Sequence, residues 1–368
     1  MTHNIQQLHI IANKKSRLII GLMSGTSLDG LDVALCKISG SRLSTKVQLL
    51  KFKTVSYTEE IKNSIREVFA KSTIDFLKLT ELNAHIGELH GNMVMKCLRQ
   101  WKVKPSLVDV IASHGQTVFH APKSSTPNAT RNSTLQIGDG DHLAARTGII
   151  TISDFRQKHI AHGGEGAPLA LYGDYILFSM KGEDRIMLNL GGIGNFTYLP
   201  ASEKVSEILV TDTGPSNTII DQAAQKIFNM PFDTNGAIAE WGHVSKKLLT
   251  ALKAHRFFKL PFPKTTGPEL FNLEFVKQAQ QQSATKKIDS IDLMTTITQL
   301  SADTIADAIK KVVGKKIAKI FISGGGAHNL HLVDLLKQNL PDADFQSIKK
   351  LGIPGDAKEA VLFAVLAS

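Results

Sequence analysis

Short apolar runs alternate along this chain with longer stretches whose apolar positions recur every three or four residues. Arg17–Met23 (RLIIGLM) and Leu31–Ile38 (LDVALCKI) predict buried strands. Glu59–Ser72 and Leu79–Trp101 carry apolar residues at helical spacing and predict helices. Val108–His120 begins as a strand, and Thr147–Phe155, Arg185–Leu199 and Ser206–Ser216 are three further strand candidates. Asn217–Phe228, just past Pro215, predicts a helix. Ile288–Val313 reads as one long helix with a face of small residues. Lys316–Asn329 is a strand that runs into a glycine turn, followed by a helix over Leu330–Leu340. Ala357–Ser368 starts a last helix after the Pro354–Gly355 turn. This order is that of an α/β protein. Lys123–Thr134, made of Ser, Thr, Asn and Pro with few apolar residues, predicts a surface loop. Met1–Arg17 is polar and mixed, has no signal-peptide h-region, and is expected to be a short leader before the first strand.

Composition narrows the class. The chain has 368 residues, 42% hydrophobic and 21% charged, enough for two globular domains. No apolar stretch approaches the ~20 residues that span a bilayer, so no membrane partner is expected. The net charge of +10 raises the question of an anionic partner. The lysines are dispersed through amphipathic segments such as Lys246–Lys259 and Ile309–Ile320. With no basic arm, zinc spacing or aromatic-basic motif, nucleic acid is not expected. Cys36 and Cys97 fit buried free thiols in a cytoplasmic protein better than a disulfide framework.

Chemistry concentrates at strand ends. MSGTSLDG, NLGGIGN, TDTGPSN and SGGGAHN each place glycines and small polar residues after an apolar run. Glycine lets backbone amides approach a phosphate, and hydroxyls add donors. That places Gly25, Thr26 and Ser27, with Gly191, Gly192, Gly324, Gly325 and Gly326, among cofactor-binding candidates. Asp29 can hold Mg²⁺, which favours a few carboxylates and several waters. Any one turn is equally explained as a tight hairpin; four together suggest a shared central cleft. The chain has no Walker A sequence and no front-end dinucleotide fingerprint. Asp212, at the end of an apolar strand before Gly-Pro, reads either as a general base or as an N-cap or Asx-turn residue. His114, His120, His142, His159 and His162 do not match zinc spacings, and His114 fits a turn-stabilising or substrate-contacting role.

The motifs GLMSGTSLDGLD, SHGQTVFH, LQIGDG, SDFR, GGEGAPLA, LNLGGIGNFTYL, TDTGPSN, KTTGPELFN, GGGAHN and GDAKEA occur in that order. Together they resemble the anhydro-N-acetylmuramic acid kinase family from about Leu18 to the C-terminus. The resemblance implies a two-lobed actin/hexokinase-like, ribonuclease H-like fold. One lobe would comprise residues 1–146 and 355–368, and the other 147–354. It implies an ATP- and Mg²⁺-dependent kinase that opens the 1,6-anhydro bond of its amino-sugar substrate and phosphorylates O6, giving N-acetylmuramic acid 6-phosphate in cell-wall recycling. It also implies a cytoplasmic homodimer. The phosphate loop would be Gly25, Thr26, Ser27, Leu28, Asp29, Gly30, Leu31 and Asp32. Asp212 would be the catalytic base, Gly324–Ala327 would pack against adenosine, and Arg156 and Glu359 would meet the sugar.

The chain departs from the family pattern at four places. His159 stands where an aspartate is usual, Glu165 for glutamine, Ala170 for valine, and Ser216 for glycine in DTGPSN. An Asp-to-His change swaps an acceptor-only anion for a ring that can also donate. His159 and Glu165 would form a compensating pair, or the sugar preference would differ. A same-fold kinase for another sugar or anhydro-sugar, and a silent ATP-binding regulator, are the competing expectations.

Overall fold

In a computed structural model, residues 2–123, 126, 129–167, 169–314 and 318–368 are described. The chain divides into two compact units, Met1–Leu177 with Gly352–Ser368, and Phe178–Leu351.

The first unit holds strands β1 (Ser16–Ser24), β2 (Gly30–Ser39), β3 (Lys46–Ser56), β4 (Val110–Ala121), β5 (Ser133–Ile137) and β6 (Thr151–Ile152). Its helices are α1 (Thr2–Ala12), α2 (Glu59–Arg66), α3 (Phe76–Trp101), α4 (Gly140–Thr147), α5 (Phe155–Ala161) and α6 (Ala170–Phe178), the last ending at the unit boundary. β1 runs antiparallel to β2, which runs antiparallel to β3; on its other edge β1 is parallel to β4. The far edge of β4 takes β6 in parallel and β5 as an antiparallel partner.

The second unit holds β7 (Arg185–Leu190), β8 (Ile193–Leu199), β9 (Leu209–Pro215), β10 (Lys319–Ser323) and β11 (Asp344–Ser347). Its helices are α7 (Asn217–Phe228), α8 (Ala237–Glu240), α9 (Lys246–Lys253), α10 (Leu273–Gln282), α11 (Ser290–Val313) and α12 (Leu330–Asn339). Here β9, β8 and β7 are successively antiparallel, β7 is parallel to β10, and β10 to β11. The order β9-β8-β7-β10-β11 therefore repeats β3-β2-β1-β4-β6 with the same strand directions. Each unit is a ribonuclease H-like layer, and the duplication is the actin/hexokinase-like architecture. The chain finally returns to the first unit as α13 (Lys358–Leu366).

Burial explains why these segments pair. β1 has Ile19, Ile20 and Leu22 fully buried on both its faces, as expected of a strand with helices on either side. One face packs on α3 through Ile86, Val94 and Leu98. On the other, α13 lies so close that a Cβ on Gly21 would sit 1.8 Å from the Ala360 carbonyl oxygen. α3 is capped by Asp75, which accepts from the Lys78 amide, and ends with Lys102 in the left-handed conformation. In the second unit, Ile186, Leu188 and Ile320 pack on Ile305, Ile309, Leu332 and Leu336 of α11 and α12. The small face of α11 returns Thr298 and Thr304 hydroxyls to carbonyls four residues back, so they are buried with their protons satisfied.

Some expectations are revised. The boundary expected at 146/147 falls within α4, and the first unit continues to Leu177 because β6 pairs with β4. Ahead of β1, Thr2–Ala12 form α1 with Ile11 buried, and Lys14 pairs with Asp109. Within Lys123–Thr134, the end belongs to β5, and Ser124, Ser125, Pro127 and Asn128 lie outside the described residues. So do Lys316 and Ile317 of the strand expected over Lys316–Asn329, which is observed from Lys319. Cys36 and Cys97 are buried free thiols, and burial pushes Cys36 up to about 12.

Candidate active site

In the first unit, the turn between β1 and β2 presents Thr26, Ser27 and Asp29 to solvent, while the Leu28 and Leu31 side chains are buried. Leu28 therefore turns inward from a left-handed backbone at φ 60°, and the two leucines offer a ligand only their main chain. A Cβ on Gly30 would meet the Val55 carbonyl at 2.2 Å, so that glycine is required by the approach of β3. Asp32 lies half-buried with Thr54 donating to its Oδ1 at 2.5 Å. Burial raises its pKa, and the charges of Asp356 and Asp29 add to the rise. Asp356, in GDAKEA, was not singled out by the sequence reading. These carboxylates suit a hard divalent cation with a partly water shell. Among the described residues no group of three or more His, Cys, Asp or Glu side chains gathers as a metal cage.

Arg156, at the start of α5, donates from Nε to His114 Nε2 at 2.7 Å and from a terminal nitrogen to the Gly166 carbonyl at 2.8 Å. His114 therefore carries its proton on Nδ1, which faces the Gly115 carbonyl at 2.9 Å. Burial, helped by Arg156, lowers its pKa to about 3, so the ring is neutral. With both nitrogens engaged, His114 orients Arg156, and it also borders a cavity of about 500 Å³. Glu359, on the exposed side of α13, is within charge reach of this group: desolvation raises its pKa, Arg156 and Lys358 oppose the rise, and Asp32 and Asp174 add to it. His159 accepts the Gly166 amide on Nδ1 at 3.2 Å, and its ring occupies the space a Gly164 side chain would need. The histidine thus supplies the backbone-directed acceptor an aspartate would offer.

In the second unit, Asp212 sits in β9 opposite Asn195, next to a bulge at Gly194. Its amide donates to the Lys264 carbonyl at 2.9 Å, and the Thr266 amide donates to its Oδ2 at 2.8 Å. No hydrogen bond to Oδ1 is found among the described residues. Burial raises the Asp212 pKa, the Thr266 hydrogen bond opposes the rise, and Glu269 adds to it. The segment that fixes it, Lys264–Thr266, was visible as the KTTG motif but carried no assigned role. Asp212 is not a helix cap: α7 begins at Asn217, with Ser216 before it.

Gly191 and Gly192 have a structural task. Their carbonyls accept the amides of Ser216, Asn217 and Thr218, at 3.0–3.1 Å, and so hold the start of α7. Gly324 and Gly326 pack against that same turn: a Cβ on either would sit 2.6–2.9 Å from atoms of Asn189, Leu190 or Asn217. Gly325 faces open space. With Gly326 it borders a cavity of about 410 Å³ whose other walls include Asn217, Asp221 and Phe232. Burial raises Asp221 to about 6.

The anhydro-N-acetylmuramic acid kinase family profile matches residues 17–368. The chain belongs to the anhydro-N-acetylmuramic acid kinase family. It is 51% identical to the anhydro-N-acetylmuramic acid kinase of Pseudoalteromonas translucida, over all of this chain and 93% of that protein. It is 40% identical to that of Caldanaerobacter subterraneus, over 97% of this chain and 92% of the relative. Among solved structures, the activator of 2-hydroxyisocaproyl-CoA dehydratase from Clostridium difficile, with bound ADPNP, aligns over 95% of this chain and 94% of its own at 12% identity, with a TM-score of 0.42.

Proposed function

We propose that this chain is an ATP-dependent kinase of anhydro-N-acetylmuramic acid. Water attacks the anomeric carbon, the 1,6-anhydro bond breaks, and O6 takes the γ-phosphoryl group of ATP. The products are N-acetylmuramic acid 6-phosphate and ADP. The carrying observation is Asp212: a half-buried carboxylate with one oxygen fixed by the Thr266 amide and, among the described residues, no hydrogen bond to the other. Such a group accepts the proton of the attacking water in a fixed direction. Coupling the two steps lets the departing O6 pass to phosphorus without becoming a free alkoxide, and positioning supplies much of the rate.

The Gly25–Asp32 turn would hold the phosphates, and the glycine-bordered cavity at Gly325 and Gly326 would take the adenosine part. Asp29, with Asp32 beside it, would hold Mg²⁺, whose chemistry is to neutralise phosphate charge. Arg156, already fixed by His114, keeps donors for a carboxylate such as the sugar's lactyl group. Cytoplasmic residence and a homodimer belong to the same proposal, the latter open to light scattering. Among the described residues no helix is long and apolar enough to cross a membrane.

The test is ADP release by the purified protein with ATP, Mg²⁺ and the anhydro-sugar, with the sugar product weighed by mass spectrometry. Gain of phosphate plus water is expected. Absence of turnover with nucleotide still bound would overturn the proposal.

A further inference from the structure

Beneath the β1–β2 turn lies a chain of four buried polar side chains: Ser24, Tyr57, His90 and Gln116. Ser24 Oγ is 2.6 Å from Gln116 Oε1, 2.8 Å from the Tyr57 hydroxyl and 2.9 Å from the Gly30 carbonyl. Gln116 Nε2 donates to the carbonyls of Gly25 and Thr117, both at 3.0 Å. The Tyr57 hydroxyl is 2.7 Å from His90 Nε2.

Proton bookkeeping gives this chain one direction. Two carbonyls need the Gln116 amide protons, so Oε1 must face Ser24. The single Ser24 proton goes to that nearest oxygen, leaving Ser24 to accept from Tyr57. Tyr57 then accepts from His90 Nε2–H. The other tautomer would leave a buried N–H at His90 Nδ1, an atom with no partner among the described residues. Burial lowers His90 to about 3, which keeps the ring neutral.

Tyr57 also reaches the second stem of the turn, since its backbone amide donates to the Asp29 carbonyl at 3.1 Å. One residue thus grips the turn at Ser24 through its side chain and at Asp29 through its main chain. Gln116 adds a third hold at Gly25. The residues between these holds are the exposed tip.

We propose that Tyr57, Gln116 and His90 are positioning residues that set the shape of the turn for the ATP phosphates. None touches substrate; they act through Ser24, Gly25 and Asp29. This inference rests on the reading of the turn as a phosphate loop, and it identifies what fixes that loop.

The experiment uses the full chain with Tyr57→Phe, which removes one oxygen, and Gln116→Glu, which removes the donor to Gly25. KM for ATP is expected to rise about tenfold in each, the worth of one or two hydrogen bonds. KM for the sugar should stay within twofold. In ¹⁵N-histidine NMR spectra the wild-type His90 should show the Nε2–H tautomer, with a resonance that moves when MgADP is added. Tyr57→Phe should abolish that movement. Unchanged KM for ATP in both variants would overturn the inference, as would an Nδ1–H tautomer. So would an equal rise of both KM values with a lowered melting temperature, which is what a purely structural role produces. A wild-type chain that does not respond to nucleotide would overturn the phosphate-loop reading itself, and this inference with it.

Discussion

At the scale of single residues, Asp212 carries the sharpest expectations. Asp212→Asn keeps the shape and removes the base, so turnover should fall on the order of 10²–10⁴-fold while nucleotide affinity, read by calorimetry, stays near wild type. Loss of affinity instead would contradict the role. The active form is the ionised one, so kcat/KM should fall as pH drops through the Asp212 pKa. Burial and the Glu269 charge raise that value above 3.8. Glu269→Gln removes one cause of the rise and should move the acid limb of the pH profile downward; an unmoved limb would assign it to another group. Sequence alone left Asp212 as either a general base or a cap residue, and the family resemblance gave it the catalytic role. Neither revealed the Thr266 amide that fixes it, because main-chain donors leave no residue-type signal. His114 shows a related limit: its type fitted either turn stabilisation or substrate contact, and only the structure shows its ring held between Arg156 and the Gly115 carbonyl.

At the scale of elements, what was legible followed burial. β1, β2, β7 and α11 bury apolar residues in regular patterns and were readable from spacing. β3 was not: its Lys-rich sequence is mostly exposed, and its strand state comes from pairing with β2. β5, embedded in a polar stretch, and four-residue β11 are likewise held by neighbours rather than by propensity. Glycines test the packing directly. Gly21→Ala would drive a methyl into the Ala360 carbonyl and should lower stability by about 1–3 kcal/mol, measured by urea unfolding. Gly325 and Gly326 should separate. Gly325→Val adds bulk to open space beside the cavity and should weaken nucleotide binding with little change in melting temperature. Gly326→Ala collides with Asn217 and Leu190 and should destabilise the fold as well.

At the scale of the whole molecule, two neutral histidines tie stability to acidity. His90 and His114 titrate near 6.5 when unfolded and near 3 when buried, so the unfolded chain takes up protons first. Their contribution is complete above about pH 6.5 and is lost as pH falls toward 3, with a slope of roughly 1.4 kcal/mol per pH unit for each ring. Melting temperature should therefore decline steeply from pH 6.5 to 4.5, and a flat profile would contradict the buried neutral state. The nested arrangement of the two units has a different consequence. The second unit is one uninterrupted segment, whereas the first is completed only by residues 352–368. On the ribosome, the later-encoded half has all its strands before the earlier half receives the helix that covers Gly21. Vectorial synthesis thus leaves the Gly21 face of β1 without its covering helix until the whole second unit and residues 352–368 have been made.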